Sequence, residues 1–290
     1  DSGPQLRRVL RFLRDVAAPE LCAGAGLRLN VPNKRPGQAR QLLQAAAAAA
    51  EEVPGAEVCL HYSLKYQPGG AQAFRAFCAE ASRIPGCSVL LVSGTGRRSG
   101  PDSCACLEEL SLEPPGARGL PPLGVAFSPF EEPGPERARL LRKLRTGLVS
   151  QVWLQLGSDL RALRSGLEFL AEQRLPGLRG SVFLPSRATL AKQRARPWAG
   201  VYLGEEYLAS VEGAEDITRR TLAIFAEFGV APLLESPVED APAVAQAAAL
   251  LGSGRRAARP APPEPSTAAP CGAGAREAGS GRRWGRGKRS

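Results

Sequence analysis

The polar residues of this chain that could do chemistry gather where apolar runs end. The segment "SQVWLQLGSD" at 150–159 alternates, so Gln151, Trp153 and Gln155 share one face of a strand and Val152, Leu154 and Leu156 the other. A second run, 57–64, sets Cys59, His61, Ser63 and Lys65 against Val58, Leu60, Tyr62 and Leu64. Strand 1 closes on Asn30, Asn33 and Lys34, strand 3 on Ser93-Gly94-Thr95-Gly96-Arg97-Arg98, and the last strand on Glu235 and Ser236. An amide suits a heterocycle with a donor–acceptor edge, which makes Gln155, with Asn30 and His61, a candidate for holding a substrate. Backbone N–H groups and guanidinium forks of the Gly94–Arg98 stretch suit a phosphate, so Ser93, Thr95 and Arg97, with Lys65, are candidates for a cofactor. Glu235 is the candidate acid. Taken singly, a buried Gln or His is as readily a satisfied core residue.

Other chemistries find no support. There is one histidine, so a His-rich metal site cannot be assembled, and no Ser-His-Asp order or P-loop appears. The glycine stretch is not a dinucleotide fingerprint, since residue 99 is serine. The acidic pairs Glu131-Glu132, Glu205-Glu206 and Glu215-Asp216 read as solvated surface.

Positioning these residues requires strands alternating with helices. Apolar runs rich in Val, Leu and Phe at 27–31, 57–64, 88–94, 123–129, 150–156, 179–185, 200–203 and 230–235 predict eight strands. Helical periodicity follows each, at 37–52, 69–84, 103–110, 135–147, 159–173, 187–196, 205–228 and 240–252. In 159–173, for example, Leu160, Leu163, Leu167 and Leu170 recur at helical spacing while Arg161, Arg164, Glu168 and Glu172 take other faces. Eight units in about 225 residues suit a closed parallel (β/α)8 barrel of the TIM type, with an open doubly wound sheet as the alternative. A barrel places function at the carboxyl ends of its strands. The expected organisation is an N-terminal helix packed on the barrel over 1–24, the barrel over 25–252, and a tail over 253–290. The N-terminal stripe Leu6, Val9, Leu10 and Leu13, flanked by arginines, also fits the remnant of a transit peptide.

The net charge of +10 belongs mainly to the tail, where nine Arg/Lys and two Glu give +7 and leave +3 for the rest. Rich in Gly, Pro, Ala and Arg, that tail is expected to be disordered, and "GRRWGRGKRS" with Trp284 could hold nucleic acid. Seven scattered cysteines, with Cys104 and Cys106 too close in sequence for the usual metal or redox pair, point to reduced thiols in a cytoplasmic setting. No apolar run is long enough to cross a bilayer. A chain that opens on Asp1 and contains no Met is expected to lack its natural start, and any targeting peptide with it.

The order of motifs resembles the catalytic barrel of the methylenetetrahydrofolate reductase family. His61-Tyr62-Ser63-Leu64 is similar to that family's strand-2 ending, Val92-Ser93-Gly94-Thr95 to its strand-3 ending, and Val125-Ala126-Phe127-Ser128-Pro129 to its strand 4. Lys143 through Gly147, followed by Leu154-Gln155, matches its Lys-x-x-x-Gly and Thr-Gln-Phe motifs, and "FLPS" at 183–186 its Gly-Ile-Leu-Pro strand. The resemblance implies hydride transfer from NAD(P)H, by way of FAD, to a folate substrate. Gln155 and Ser128 would then touch the substrate, and Lys143 would lie near the cofactor phosphates. The family's strand-1 acid is replaced by Leu29, and the aspartate of its strand-3 motif by Thr95. Glu235 is therefore expected to supply the acid from across the mouth. The competing expectations are a barrel that has lost its chemistry and binds folate or regulates, and a nucleic-acid-associated protein acting through the tail.

Overall fold

The computed structural model describes residues 3–22, 26–94, 100–112, 119–173, 175, 177–236, 238 and 240–257. Thr95, Arg97 and the tail beyond residue 257 therefore lie outside the described residues.

Seven strands form one parallel sheet in sequence order. They are β1 (Arg28–Val31), β2 (Glu57–Ser63), β3 (Cys87–Val92), β4 (Leu123–Phe127), β5 (Val149–Leu154), β6 (Leu178–Val182) and β7 (Ala231–Leu234). The chain opens with helix α1 (Gly3–Phe12), a π-helical turn (Leu13–Ala17) and α2 (Ala18–Leu21). Helices α3 (Ala39–Glu52), α4 (Gly70–Ala81), α5 (Ser103–Ser111), α6 (Pro133–Arg145) and α7 (Leu160–Glu172) follow β1 to β5 in turn. After β6 come α8 (Arg187–Ala195), α9 (Glu205–Ala209) and α10 (Val211–Glu227), and after β7 comes α11 (Ala241–Ala257).

The parallel α/β class is thus as expected, but among the described residues the sheet has seven strands. The segment 200–203 keeps only an isolated bridge between Tyr202 and Gly157. The helix expected over 205–228 is two helices, because Ser210 is extended and its side chain accepts from Gly213 N, starting α10 afresh. Similar caps start the others. Asp159 Oδ1 accepts from Arg161 N at 2.9 Å and Ala162 N at 3.0 Å, and Asp102 from Ala105 N at 2.9 Å.

One main core lies between the sheet and the helices, where Val58, Leu60, Val89, Leu91, Val125 and Leu154 meet Leu42, Phe74, Leu107, Leu140 and Leu167. A second, smaller cluster shows that the sheet curls. Cys59, Leu90 and Trp153 pack together with Val92 and Leu233, bringing side chains of β2, β3, β5 and β7 into one interior. In a flat sheet β2 and β7 would stand five strand spacings of about 4.8 Å apart. The N-terminal helices pack on α3 and α11, the helices that follow the first and last strands. Leu10 and Ala17 are buried there, while Arg7 and Arg11 pair with Glu52 at 2.7 and 3.2 Å.

Candidate functional site

Alternation along the strands directs Asn30, Cys59, His61, Leu90 and Trp153 into the interior of the curl, as the second cluster confirms for Cys59, Leu90 and Trp153. Room for the indole comes from Gly124 on the neighbouring strand. A Cβ there would sit 2.6 Å from Trp153 Nε1, which no side chain tolerates. His61 meets Trp153 edge-on, with ring centroids 6.1 Å apart. Asn30 is paired in register with Cys59, two residues before His61, so Asn30 and His61 are diagonal neighbours on the inner face.

Three polar atoms of this interior are buried without a hydrogen-bond partner among the described residues: Asn30 Nδ2, His61 Nε2 and Trp153 Nε1. Each comes from a different strand. Leaving such a group unpaired costs about 1–3 kcal/mol, so three on one inner surface are a feature to be explained. Burial, with the nearby Lys34 charge acting in the same direction, pushes the His61 imidazole down to about 4, and the ring is neutral at physiological pH. Cys59 is pushed up to about 12, chiefly by burial, and is no nucleophile.

The other candidates take different places. Gln155 faces the connection between α8 and α9, where its Oε1 lies 3.0 Å from where a Cβ on Gly200 would stand, and Gly200 has φ +84°. That connection also lays Trp198 edge-on against Phe183, with centroids 5.5 Å apart. Glu235 is exposed and accepts a hydrogen bond of 2.5 Å from Ser181 on β6. Asn33 is spent on the chain itself, accepting from Ser63 N at 3.3 Å and donating to Arg35 O at 3.0 Å. Ser93 Oγ accepts from Ser103 N at 2.9 Å and so starts α5, and Lys65 is exposed with Nζ 5.7 Å from the Tyr66 ring.

Lys143 is buried beneath α6, with Nζ donating to Ala126 O at 3.3 Å. The adjacent Phe127 carbonyl accepts from Gln155 N on the β5 side, so that of Ala126 faces the β3 side, where the β3–β4 ladder has ended at Leu91 and Val125. The lysine replaces a missing ladder bond. Burial holds its pKa below the usual lysine range. Ser128 is buried and belongs to a cleft of about 330 Å³ between the β4–α6 connection and α7, which Asn30, His61 and Gln155 do not line.

Sequence alone nominated neither Trp153 nor Tyr202. The alternation that selected Gln155 selects Trp153 equally, so that signal was present. Tyr202 and Phe130 carry none, because only folding brings their rings to 5.7 Å. Among the described residues no group of three His, Cys, Asp or Glu is placed to hold a metal ion, and no helix is long and apolar enough to cross a membrane.

No family model matches, and no curated protein matches. Solved structures of similar fold include 2,3-dimethylmalate lyase, a member of the PEP mutase/isocitrate lyase superfamily, at 14% identity and TM-score 0.42, covering 88% of this chain and 97% of that one. A protein assigned as a dihydrodipicolinate synthetase from Pseudomonas aeruginosa matches at 14% identity and TM-score 0.41, covering 87% of this chain and 93% of that one. The carboxyl transferase domain of Rhizobium etli pyruvate carboxylase matches at 14% identity and TM-score 0.43, covering 88% of this chain and 44% of that one.

The resemblance to the methylenetetrahydrofolate reductase family is corrected by these findings. No family model matches the chain, so the short motifs on which the resemblance rested have no family support. The expected hydride transfer to folate goes with it, and the expectation of FAD and NAD(P)H loses its basis. The matched motifs are short, and Lys143, which the Lys-x-x-x-Gly match put near cofactor phosphates, is buried and donates to the Ala126 carbonyl.

Proposed function

We propose that the protein binds a small molecule bearing a hydrogen-bond acceptor, such as a carbonyl, inside the curled sheet, and that His61 takes a proton from it. The single observation that carries this reading is the trio of unpartnered buried atoms from β1, β2 and β5. Asn30 Nδ2 and Trp153 Nε1 can only donate, so together they favour an acceptor oxygen, and more so one gaining negative charge. The neutral His61 ring can accept the proton whose departure creates that charge. The carboxyl ends of the strands are where parallel barrels hold their ligands.

The test uses Asn30→Leu, which removes the donor at similar volume. Without ligand, the variant is expected to be more stable than the wild type by about 1 kcal/mol, because an unpaired group has gone. A panel of ketones, keto acids and amides is then screened by thermal denaturation. At least one is expected to raise the melting temperature of the wild type and not of the variant, and in D2O to exchange a C–H proton only when His61 is intact. A destabilised Asn30→Leu protein together with a panel that moves neither protein would refute the reading.

A further inference from the structure

A double cleft lies between the β4–α6 connection and α7, apart from the interior of the curl. The 330 Å³ cleft that Ser128 lines adjoins a larger one of about 530 Å³, and the two share Phe130, Asp159 and Ala162. Phe130 stands in the shared wall, and Tyr202 lines the larger cleft beside it, 5.7 Å away centroid to centroid. Carboxylates surround it: Glu131 at the rim, Asp159 in both halves, and Glu205 and Glu206 on the larger side.

We propose that this double cleft binds a small organic cation, a primary ammonium carried on an apolar body. Three observations lead there. First, Glu131, Glu205 and Glu206 have no ion-pair partner among the described residues, although the chain as a whole is strongly basic. The cations that do line the cleft are partly engaged, Arg137 with Ser165 at 2.9 Å and Arg220 with Asp216 at 3.6 Å, while Arg161 stands at the first turn of α7. Second, Tyr202 is fixed by donating its hydroxyl to Glu131 Oε1, which presents its ring beside Phe130 as a surface on which a cation and its apolar body can lie. Third, Ser128 is 6% exposed, and its Oγ meets no partner at hydrogen-bond geometry, though it lies near enough to the Tyr202 phenol to affect it. An ammonium has three donors. The second oxygen of Glu131 and Oδ2 of Asp159 carry no other hydrogen bond among the described residues, and Oγ of Ser128 is a buried acceptor lining the same cleft.

Calorimetric titration of the full chain with phenethylamine, phenethyl alcohol and phenylacetate tests this. The amine is expected to bind, the alcohol at least about tenfold more weakly, and the acid more weakly still. Glu205→Gln combined with Glu206→Gln, both on the surface, is expected to weaken the amine about tenfold, and Ser128→Ala to weaken it measurably. Asn30→Leu should leave amine binding unchanged, which separates this site from the interior one. Equal affinity for amine and alcohol, absence of amine binding, or loss of binding in Asn30→Leu but not in the glutamate variants would each overturn the proposal.

Discussion

The buried Lys143 and the half-buried His61, whose Nε2 is buried, are both titratable groups, and the structure gives them opposite fates. Lys143 has a partner in the Ala126 carbonyl, whereas the Nε2 of His61 has none. The consequence for His61 can be read as a function of pH. The unfolded chain takes up a proton on this ring near 6.5, the native protein only near 4, so between those values the unfolded state binds more protons. Its contribution to stability is complete above 6.5 and is lost as pH falls toward 4. His61 is the single histidine of the chain, so its ring signals in an NMR titration are unambiguous. They are expected to stay in the neutral position until about pH 4, and His61→Gln to flatten the acid side of the stability curve. A native ring that titrates near 6.5 would show that water reaches it freely.

Among the elements, the end of the β3–β4 ladder is the place where one side chain supports the sheet. Parallel strands need every carbonyl paired once the sheet is covered by helices, and at Ala126 the neighbouring strand has already left. Lys143→Met keeps the apolar stem and removes the donor. It is expected to cost about 1–3 kcal/mol in equilibrium unfolding, with the largest loss of amide protection at the ends of β3 and β4. A variant as stable as the wild type would mean that the carbonyl finds another donor. The connection over 196–204 plays a different part, since it pairs at Tyr202 and Gly157 where an eighth strand was expected, and it holds Gly200 against Gln155. The side chain that pointed most clearly to a ligand in the sequence therefore faces the chain's own backbone.

For the molecule as a whole, burial decides which thiols can react. Cys59, Cys78, Cys87, Cys104 and Cys106 are buried and unbridged, and burial raises all five, Cys59 and Cys106 to about 12 and Cys87 to about 11. Only the thiolate is alkylated, so these residues are shielded twice, by access and by protonation. Among the cysteines of the described residues, site-resolved alkylation with iodoacetamide is expected to modify the partly exposed Cys22 in the native state and the five buried ones only at the rate of opening. Modification of Cys104 or Cys106 as fast as Cys22 would show that the layer between α5 and the sheet opens locally.

Alternation and helical period were enough to read seven strands and most of the helices between them, because a strand buried on one face and a helix with one apolar stripe write their geometry into local residue order; they failed at 200–203, which keeps only an isolated bridge, and at Ser210, where one expected helix breaks into two. Alternation put His61 on an inner face for the same reason. Periodicity says nothing about which inward groups find partners, since that depends on strands far apart in sequence curling until Cys59 and Leu233 share one cluster. Nor does it distinguish a lysine at a cofactor from one that fills the end of a ladder, or acidic pairs on open surface from those walling a cleft with Phe130 and Tyr202. Those distinctions are made by distance in space, and only the tertiary structure sets it.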